Sequence, residues 1–286
     1  MILPGSPEAS HGLPGYANSP AVFSDVLCAI DASRTSLRAV SRACELLAPD
    51  ARMTVLVCTQ ETGAGAWASA AVSSARARRA LTRAAEMARK AGLRAETVLD
   101  PDGPPIDRVL ERAASHPLLA LGAPVMPRGA GLWVGGVALH AVHHLPSSLL
   151  IARERPLAAG AHILLSLDGT DDAPGLSMIA AYAARRLKRG VVVVHAVGVE
   201  SRSQPHHLEA QRDGLAGLLG VAPEMVIEAK RPAEAILAVA RERQTSLIIM
   251  GSRRIGGVRA LSSVSERVAH RARCSVLVIR PEERGS

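Results

Sequence analysis

The sequence predicts an α/β protein built from two tandem domains, each a doubly wound parallel sheet. One order of segments occurs twice in the chain: short apolar runs, typical of buried parallel strands, alternate with segments of helical period. Each copy has about 120–130 residues, the usual size of a domain with its own core, so the repeat marks domains rather than stacking units. The predicted strands are VLCAI (26–30), MTVLVCT (53–59), LRAETVL (93–99), LLALG (118–122) and SLLIAR (148–153), then ILLSL (163–167), VVVVHAV (191–197), EMVIEA (224–229), LIIMG (247–251) and SVLVIR (275–280).

Helical segments separate these strands, as parallel pairing requires. Residues 67–92 and 206–220 carry charges on one side, which predicts helices with a solvated outer face. Residues 104–114 and 231–242 open with proline or just before it, and proline is favoured in the first turn because its missing N–H would have no partner there. We therefore expect two separate sheets, each covered by helices on both faces.

The composition changes along the chain predict the domain boundaries. Residues 1–22 are rich in Pro, Gly and Ser and lack a period, which is typical of a flexible arm. The first domain is predicted at 23–154 and the second at 161–281. A short linker at 155–160 joins them, and residues 282–286 form a tail.

Composition also limits the partners. The chain has 34 basic and 26 acidic residues, for a net charge of +8, and this favours a solvated basic surface over a nucleic-acid site. One Phe, two Tyr and two Trp offer few stacking platforms for single strands. The four cysteines fit buried thiols in a reducing compartment. No apolar run approaches the ~18–20 residues that span a bilayer, and no secretory signal is visible, so we expect a cytoplasmic protein that binds neither nucleic acid nor membrane.

The first strand of each copy ends at an aspartate: Asp31 in VLCAID and Asp168 in ILLSLD. In doubly wound sheets, ligands bind beyond the carboxyl ends of the strands, at the point where the strand order reverses. A carboxylate there can accept a hydrogen bond from an exocyclic amine or a ribose hydroxyl. Aspartate is equally a preferred N-cap for the helix that follows, and position alone leaves the two interpretations open.

The segment MGSRRIGGVRALSSVSERVAHRARCSVLVIR (250–280) has the order strand, Gly- and Ser-rich loop, helix. Unpaired N–H groups and the dipole at a helix start favour an anion, and glycines allow close approach of the backbone. The loop lacks both the P-loop and the GxGxxG pattern. Ser263 and Glu266 also form a capping box, which explains part of the same stretch by helix capping alone.

With these motifs, residues 24–281 resemble the universal stress protein family in its tandem form, most specifically at 247–280. The resemblance implies two Rossmann-like domains of the adenine nucleotide alpha hydrolase type that form a pseudo-dimer, with the final strands at or near the shared interface. It implies that the strand-one aspartate meets adenine and ribose, and that the glycine loop and Ser/Thr hold the phosphates. Carried over by position, the nucleotide-binding residues are Asp168, Ala196, Gly251, Ser252, Arg253, Arg254, Gly256, Ser262, Ser263 and Val264 in the second copy, and Asp31, Thr59, Gly122, Gly135 and Gly136 in the first.

Both glycine loops depart from the family pattern. In the second copy, Arg254 replaces the second glycine of the family pattern, and the loop is two residues shorter than the pattern. In the first copy, Val125 replaces that glycine and Gly136 replaces the Ser/Thr. Because Arg253 and Arg254 could contact phosphates directly, we expect nucleotide binding in the second domain rather than in the first.

No catalytic constellation and no metal-ligand set are evident, so we expect a stress-response regulator that binds ATP or another adenine nucleotide, with Mg²⁺ only as the nucleotide's companion and at most slow incidental ATP hydrolysis. A nucleotide-free scaffold acting through unknown protein partners is the alternative, and an ATP-using α/β enzyme is a third. Fused halves that mimic a two-fold dimer could also form a homodimer.

Overall fold

A computed structural model describes residues 23–59, 74–123, 141, 147–153, 161–168, 173–197, 205–252 and 264–280. We call residues 23–153 the first half and residues 161–280 the second half. The first half contains β1 (Asp25–Ala29), α1 (Leu37–Leu46), β2 (Arg52–Cys58), α2 (Ser74–Lys90), β3 (Arg94–Asp100), α3 (Pro105–Ala113), β4 (Leu118–Ala123) and β5 (Ser148–Arg153). The second half contains β6 (Ile163–Ser166), α4 (Ala173–Leu187), β7 (Val191–Ala196), α5 (Pro205–Leu219), β8 (Glu224–Glu228), α6 (Pro232–Glu242), β9 (Leu247–Gly251), α7 (Val264–Arg271) and β10 (Ser275–Ile279).

The predicted fold class is confirmed, and the two halves share one strand order. Within each half every strand pairing is parallel, and the sheet order is β3-β2-β1-β4-β5 in the first half and β8-β7-β6-β9-β10 in the second. The chain direction across the sheet reverses between β1 and β4, and again between β6 and β9. These two switch points are where a doubly wound sheet opens a crevice at the carboxyl ends of its strands.

The expectation of two separate sheets is wrong. The two halves form one ten-stranded sheet, because β5 pairs with β10 in antiparallel register, with Leu150 opposite Leu277. The physical reason is that each parallel half leaves its last strand with unpaired backbone N–H and C=O groups along one edge, and pairing the two edges satisfies both. The order within each half is unchanged, so the duplication and both switch points remain.

Helices cover both faces of this sheet and create two cores. Helices α1, α2, α4 and α5 bury one face, and α3, α6 and α7 bury the other. Each core crosses the joint between the halves: Leu150 and Leu277 belong to the first core, and Leu149 and Val276 to the second. The Tyr182 hydroxyl of α4 adds a direct link, since it donates to the carbonyl of Leu47 at 3.0 Å. The halves are therefore packed together as well as fused.

None of the helices in the described part of the chain has both the length and the apolar character that crossing a membrane requires.

Candidate functional site

The strand register brings the strand-one aspartates to equivalent places in the two halves. Ala29 pairs with Leu56 and Leu121, so Asp31, two residues later, follows the ends of β2 and β4 closely. In the second half Ser166 pairs with Val194 and Met250, which places Asp168, Ala196 and Ser252 at one level along the carboxyl edge. We call the space between the ends of β1 and β4 the first crevice, and that between β6 and β9 the second crevice.

In the first crevice, Asp31 organises its own loop. Its carboxylate accepts the N–H of Ser33 at 2.9 Å, and its own N–H donates to the hydroxyl of Ser36 at 3.2 Å. Burial acts to raise the pKa of the Asp31 carboxyl, but hydrogen bonds from Ser33 and Ser36 outweigh it and hold the pKa below its usual value. The carboxylate is thus ionised at neutral pH and engaged with the turn that leads into α1.

The same loop fills the space in front of Gly122. A Cβ placed on Gly122 would lie 2.4 Å from the carbonyl oxygen of Thr35 and 2.6 Å from the Cα of Ser36. These are backbone atoms, which cannot move aside as a flexible side chain would. The sequence pattern correctly marks Gly122 as a place of close backbone approach, but the group that approaches is the chain itself. The first crevice is therefore narrowed at its strand end.

A strained residue helps this loop to turn inward. Ala32 has φ of 61°, in the left-handed region that costs a residue with a Cβ roughly 1 kcal/mol or more. The matching residue after Asp168 is Gly169, which would adopt such a conformation without that cost. The first half thus holds its loop in place despite an unfavourable residue.

The second crevice differs at the corresponding glycine. Gly251 is exposed, and a Cβ there would have a single contact among the described residues, Leu176 Cδ1 at 3.4 Å, an ordinary van der Waals distance. Asp168 is also exposed, as is Asp31 in the first half.

A buried histidine holds the backbone that precedes Asp168 in place. His195 is 1% exposed, and its Nδ1 lies 2.9 Å from the carbonyl oxygen of Leu167. A carbonyl only accepts, so Nδ1 carries the hydrogen and donates it. The Leu167 N–H in turn donates to the carbonyl of Val194 at 3.1 Å. Both bonds fix the backbone immediately before Asp168, so His195 is a positioning residue for that carboxylate.

The floor of the second crevice beyond β7 is apolar. Ala196 is half-buried and Val197, the next residue, is 45% exposed. In the first half, the strand register places Cys58 level with Ala196. Thr59 matches Val197, because the Thr59 N–H donates to the carbonyl of Asp100 and the Val197 N–H to the carbonyl of Glu228, each at 2.9 Å. Cys58 and Thr59 of the first half therefore correspond to Ala196 and Val197 of the second.

Ser252 connects the end of β9 to the start of α7. It is 9% exposed, its hydroxyl lies 3.3 Å from the hydroxyl of Ser265, and its N–H donates to the carbonyl of Ile279 at 2.9 Å. Val264, the first residue of α7, is half-buried beside it. Ser252 thus orients the amino end of α7 relative to the sheet. Its hydroxyl already has a protein partner, so its contribution to a ligand site is through this placement.

Sequence reasoning missed a charged cluster beside the first crevice. Asp100 ends β3, is 2% exposed, and accepts ion pairs from Arg112 at 2.8 Å and Arg108 at 3.2 Å. Burial acts to raise the pKa of Asp100, but the N–H of Asp102 and the two guanidinium groups outweigh it, so the pKa lies below its usual value. Arginines four residues apart share one face of α3, and this spacing after a strand-end aspartate is the signal that could have found the cluster.

Seven predicted residues lie outside the described part of the chain, and all belong to the two glycine loops: Arg253, Arg254, Gly256, Ser262, Ser263, Gly135 and Gly136. Of the predicted residues that the structure describes, Asp168, Ala196, Gly251, Ser252 and Val264 gather at the second crevice, and Asp31, Thr59 and Gly122 at the first. Within the described ranges, no group of three or more His, Cys, Asp or Glu side chains could hold a metal ion.

Two equivalent crevices in one duplicated sheet define a tandem protein of the doubly wound α/β class. The sequence profile of the Universal stress protein family matches residues 23–153 and 161–280, so the chain belongs to the universal stress protein family, with the family's domain present twice.

Individual relatives match one domain length or the whole fold. The "Universal stress protein in QAH/OAS sulfhydrylase 3'region" of Thermus aquaticus is 34% identical over 133 residues, which cover 41% of this chain and 97% of the relative. Universal stress protein YxiE of Bacillus subtilis (strain 168) is 29% identical over 145 residues, with the same coverage of each chain. The crystal structure of a universal stress protein from Archaeoglobus fulgidus DSM 4304 covers 92% of this chain and 99% of its own, with 21% identity and a TM-score of 0.69. This last likeness concerns the fold.

Proposed function

We propose that this chain is a stress-response regulator that binds one adenine nucleotide, in the second crevice. The observation that carries the proposal is the contrast between two matching glycines. Gly251 is exposed beside Asp168, whereas Gly122 faces the Thr35–Ser36 backbone at a distance that excludes even a methyl group. Gly251 is thus exposed at the strand end of the second crevice, whereas the chain's own backbone lies against the matching glycine of the first.

The second crevice offers the groups that an adenine nucleotide requires. Asp168 presents a carboxylate that accepts hydrogen bonds from a ribose hydroxyl or the exocyclic amine of adenine. Ala196 and Val197 supply a small apolar surface for a flat base. Gly251 permits close approach of the phosphates, and the amino end of α7 contributes N–H groups and a favourable dipole. Each group comes from the end of a different element, as in other sites of doubly wound sheets.

Binding without chemistry is the role that this arrangement supports. Asp168, Ala196 and Gly251 supply hydrogen bonding and shape, and we identify no nucleophile paired with a base among them. We propose a module whose nucleotide occupancy changes its interaction with protein partners. An ATP-using enzyme would add a defined second substrate and a base positioned for it.

Isothermal titration calorimetry with ATP, ADP and AMP tests the proposal on three forms of the full chain. Wild-type protein should bind at least one of these nucleotides saturably. Asp168→Ala should weaken that binding at least about tenfold, because it removes a charge-assisted hydrogen bond. Asp31→Ala is the matched control, since it removes the equivalent carboxylate from the first crevice, and it should leave the affinity unchanged.

Two outcomes would contradict the proposal. Loss of binding in Asp31→Ala but not in Asp168→Ala would place the ligand in the first crevice. Absence of binding to the wild-type protein by all three nucleotides would favour the scaffold that acts through protein contacts alone.

A further inference from the structure

A buried arginine crosses the joint between the two halves. Arg153, the last residue of β5, is 3% exposed. The backbone N–H of Arg153 donates to the hydroxyl of Ser275 at 3.2 Å. Its side-chain Nη2 donates to the carbonyl of Ala269 in the last turn of α7. Its Nη1 is buried and has no hydrogen-bond partner among the described residues. Burial lowers the pKa of Arg153 to about 10, which is the expected effect of placing a cation among apolar groups without a carboxylate.

The group that can balance this cation is the thiol of Cys274. Cys274 immediately precedes Ser275, the residue that accepts the Arg153 N–H, and it is 3% exposed. Val276 and Val278 follow it on the same side of β10, and Leu149 and Ile151 precede Arg153 on that side of β5. Both side chains therefore lie on the sheet face that α7 covers. Val276 pairs with Ile151, so the same antiparallel register places Cys274 opposite Arg153. Cys274 interacts electrostatically with Arg153 and opposes the lowering of its pKa.

A cavity reaches Cys274 from the solvent side of the same face. Its volume is about 280 Å³, and its charged wall consists of Arg241 from α6 together with Arg271 and Arg273 at the end of α7. The one carboxylate in the described lining is Glu234. Three guanidinium groups against one carboxylate make the cavity favourable to an anion. Cys274 thus lies between a cationic cavity and the buried Arg153.

The first half shows that the fold itself does not require these groups. When α3 is aligned with α6 and β5 with β10, the residues of the first half that correspond to Arg241, Arg271 and Arg273 are Ala114, His144 and Pro146. The position that matches Cys274 is Ser147, whose hydroxyl donates to the carbonyl of Ala113 at 2.8 Å, a structural bond within the first half. The thiol and the three arginines of the cavity wall are therefore supplied by the second half alone.

We propose that Cys274 is a redox-sensitive thiol, held as the thiolate by Arg153 and oxidised by small hydroperoxides that enter through the arginine-lined cavity. The thiolate sulfur attacks the hydroxyl oxygen of the hydroperoxide. An S–O bond forms as the O–O bond breaks, so the sulfur is oxidised by two electrons to the sulfenic acid and the peroxide is reduced by two. The leaving group is an alkoxide, or hydroxide for hydrogen peroxide, and it takes a proton from water. The arginines of the cavity stabilise that departing anion.

The other three cysteines are internal controls with a different balance of neighbouring charges. Burial, and then the neighbouring Cys44, raises the pKa of the Cys28 thiol well above its usual range. Burial and then Glu45 raise the pKa of Cys44 to about 11. Burial and then Asp100 raise the pKa of Cys58 to about 11, although Arg112 and Arg108 act to lower it. Among the described residues, the charged groups around Cys274 are Arg153, Arg241, Arg271 and Arg273, with Glu234 as the carboxylate. A low thiol pKa in cationic surroundings is the usual basis of selective oxidation.

The direct test is competitive oxidation within the native full-length chain. Protein is exposed to a few equivalents of hydrogen peroxide, quenched with catalase and unfolded in excess iodoacetamide. Peptide mass spectrometry then gives the alkylated fraction of each cysteine. We expect Cys274 to lose alkylation at least about tenfold faster than Cys28, Cys44 and Cys58. Oxidation of Cys274 at the same rate as Cys58, or more slowly, would overturn the proposal.

A pH profile and two variants separate the thiolate from mere accessibility. In wild-type protein, the oxidation rate of Cys274 should reach half of its maximum below the ordinary thiol value of about pH 8.5, and a midpoint at or above that value would contradict the proposal. Arg153→Gln should raise that midpoint while leaving the rates of the other three thiols unchanged. Cys274→Ser, which introduces the residue found at the matching position 147, should fold and lose the rapid phase. Should Arg153→Gln fail to fold, the wild-type profile decides alone.

Discussion

Leu150 lies directly opposite Leu277, its own counterpart in the second half, where β5 and β10 pair in antiparallel register. The hydrogen bonds beside this pair repeat the same symmetry. The Ser275 hydroxyl accepts the N–H of Arg153 at 3.2 Å, and the Ser148 hydroxyl accepts the N–H of Arg280 at 3.1 Å. The joint is therefore an internal two-fold interface in which each group has an equivalent on the other side, as expected when two copies of one domain pair through the same edge.

This symmetry predicts equal costs for two substitutions. Ser148→Ala and Ser275→Ala each remove one buried hydroxyl acceptor and leave one backbone N–H without its partner. Each should lower the free energy of unfolding by about 1 kcal/mol, and by similar amounts. Urea denaturation of the two variants and the wild type measures this. A difference of more than about 1 kcal/mol between the two variants would show that the joint is not balanced.

The two strand-end glycines should respond very differently to a methyl group. Gly122→Ala should destabilise the protein by about 2–3 kcal/mol, because the new Cβ would lie 2.4 Å from the Thr35 carbonyl oxygen and force the backbone apart. Gly251→Ala is the matched control and should cost less than about 1 kcal/mol, since its neighbour among the described residues is a side-chain methyl, Leu176 Cδ1, at 3.4 Å. Thermal or urea unfolding distinguishes them, and equal costs would mean that the first crevice is not filled as described.

Ala32→Gly should leave stability unchanged or raise it by up to about 1 kcal/mol. The substitution relieves the strain of φ 61° at Ala32, and the greater freedom of glycine in the unfolded chain offsets part of that gain. Urea denaturation at neutral pH is the measurement. A loss of 1 kcal/mol or more would indicate that the methyl group of Ala32 makes contacts worth more than the strain.

Asp100→Asn should destabilise the protein by about 2–3 kcal/mol at pH 7, because it leaves Arg108 and Arg112 without their buried carboxylate partner. The pKa of Asp100 is lowered in the folded state, so its contribution is present above the unfolded value of about 4 and is lost as pH falls through the folded value. The stability difference between variant and wild type should therefore shrink as the pH falls below about 4. A difference that stays constant from pH 7 to pH 3 would contradict this assignment.

The sequence predicts the repeated elements well because buried parallel strands appear in it as continuous apolar runs. It also predicts that Asp31 and Asp168 end the first strands, since the apolar run stops there. It does not predict that the halves share one sheet, because edge-to-edge pairing leaves no local pattern. Nor does it predict that Gly122 meets Thr35, a contact between residues distant in the chain.

The candidate site shows the same limit. The sequence places His195 near the end of a predicted strand, but its hydrogen bond to the Leu167 carbonyl is evident only from the distance between them. Asp100 lies at the end of a strand, and Arg108 and Arg112 lie on the helix that follows. The sequence shows the spacing of these residues, but only the structure shows that they form ion pairs. Cys274 and Arg153 come from different halves, so no segment of sequence places them together.

The stoichiometry of nucleotide binding tests the central claim most directly. Native mass spectrometry of the full chain with saturating ATP, ADP or AMP counts the nucleotides held by each molecule. A single bound nucleotide, lost in Asp168→Ala and retained in Asp31→Ala, is the result expected if the second crevice binds the nucleotide and the Thr35–Ser36 backbone blocks the first. Two bound nucleotides per chain, or one that persists in Asp168→Ala, would contradict it.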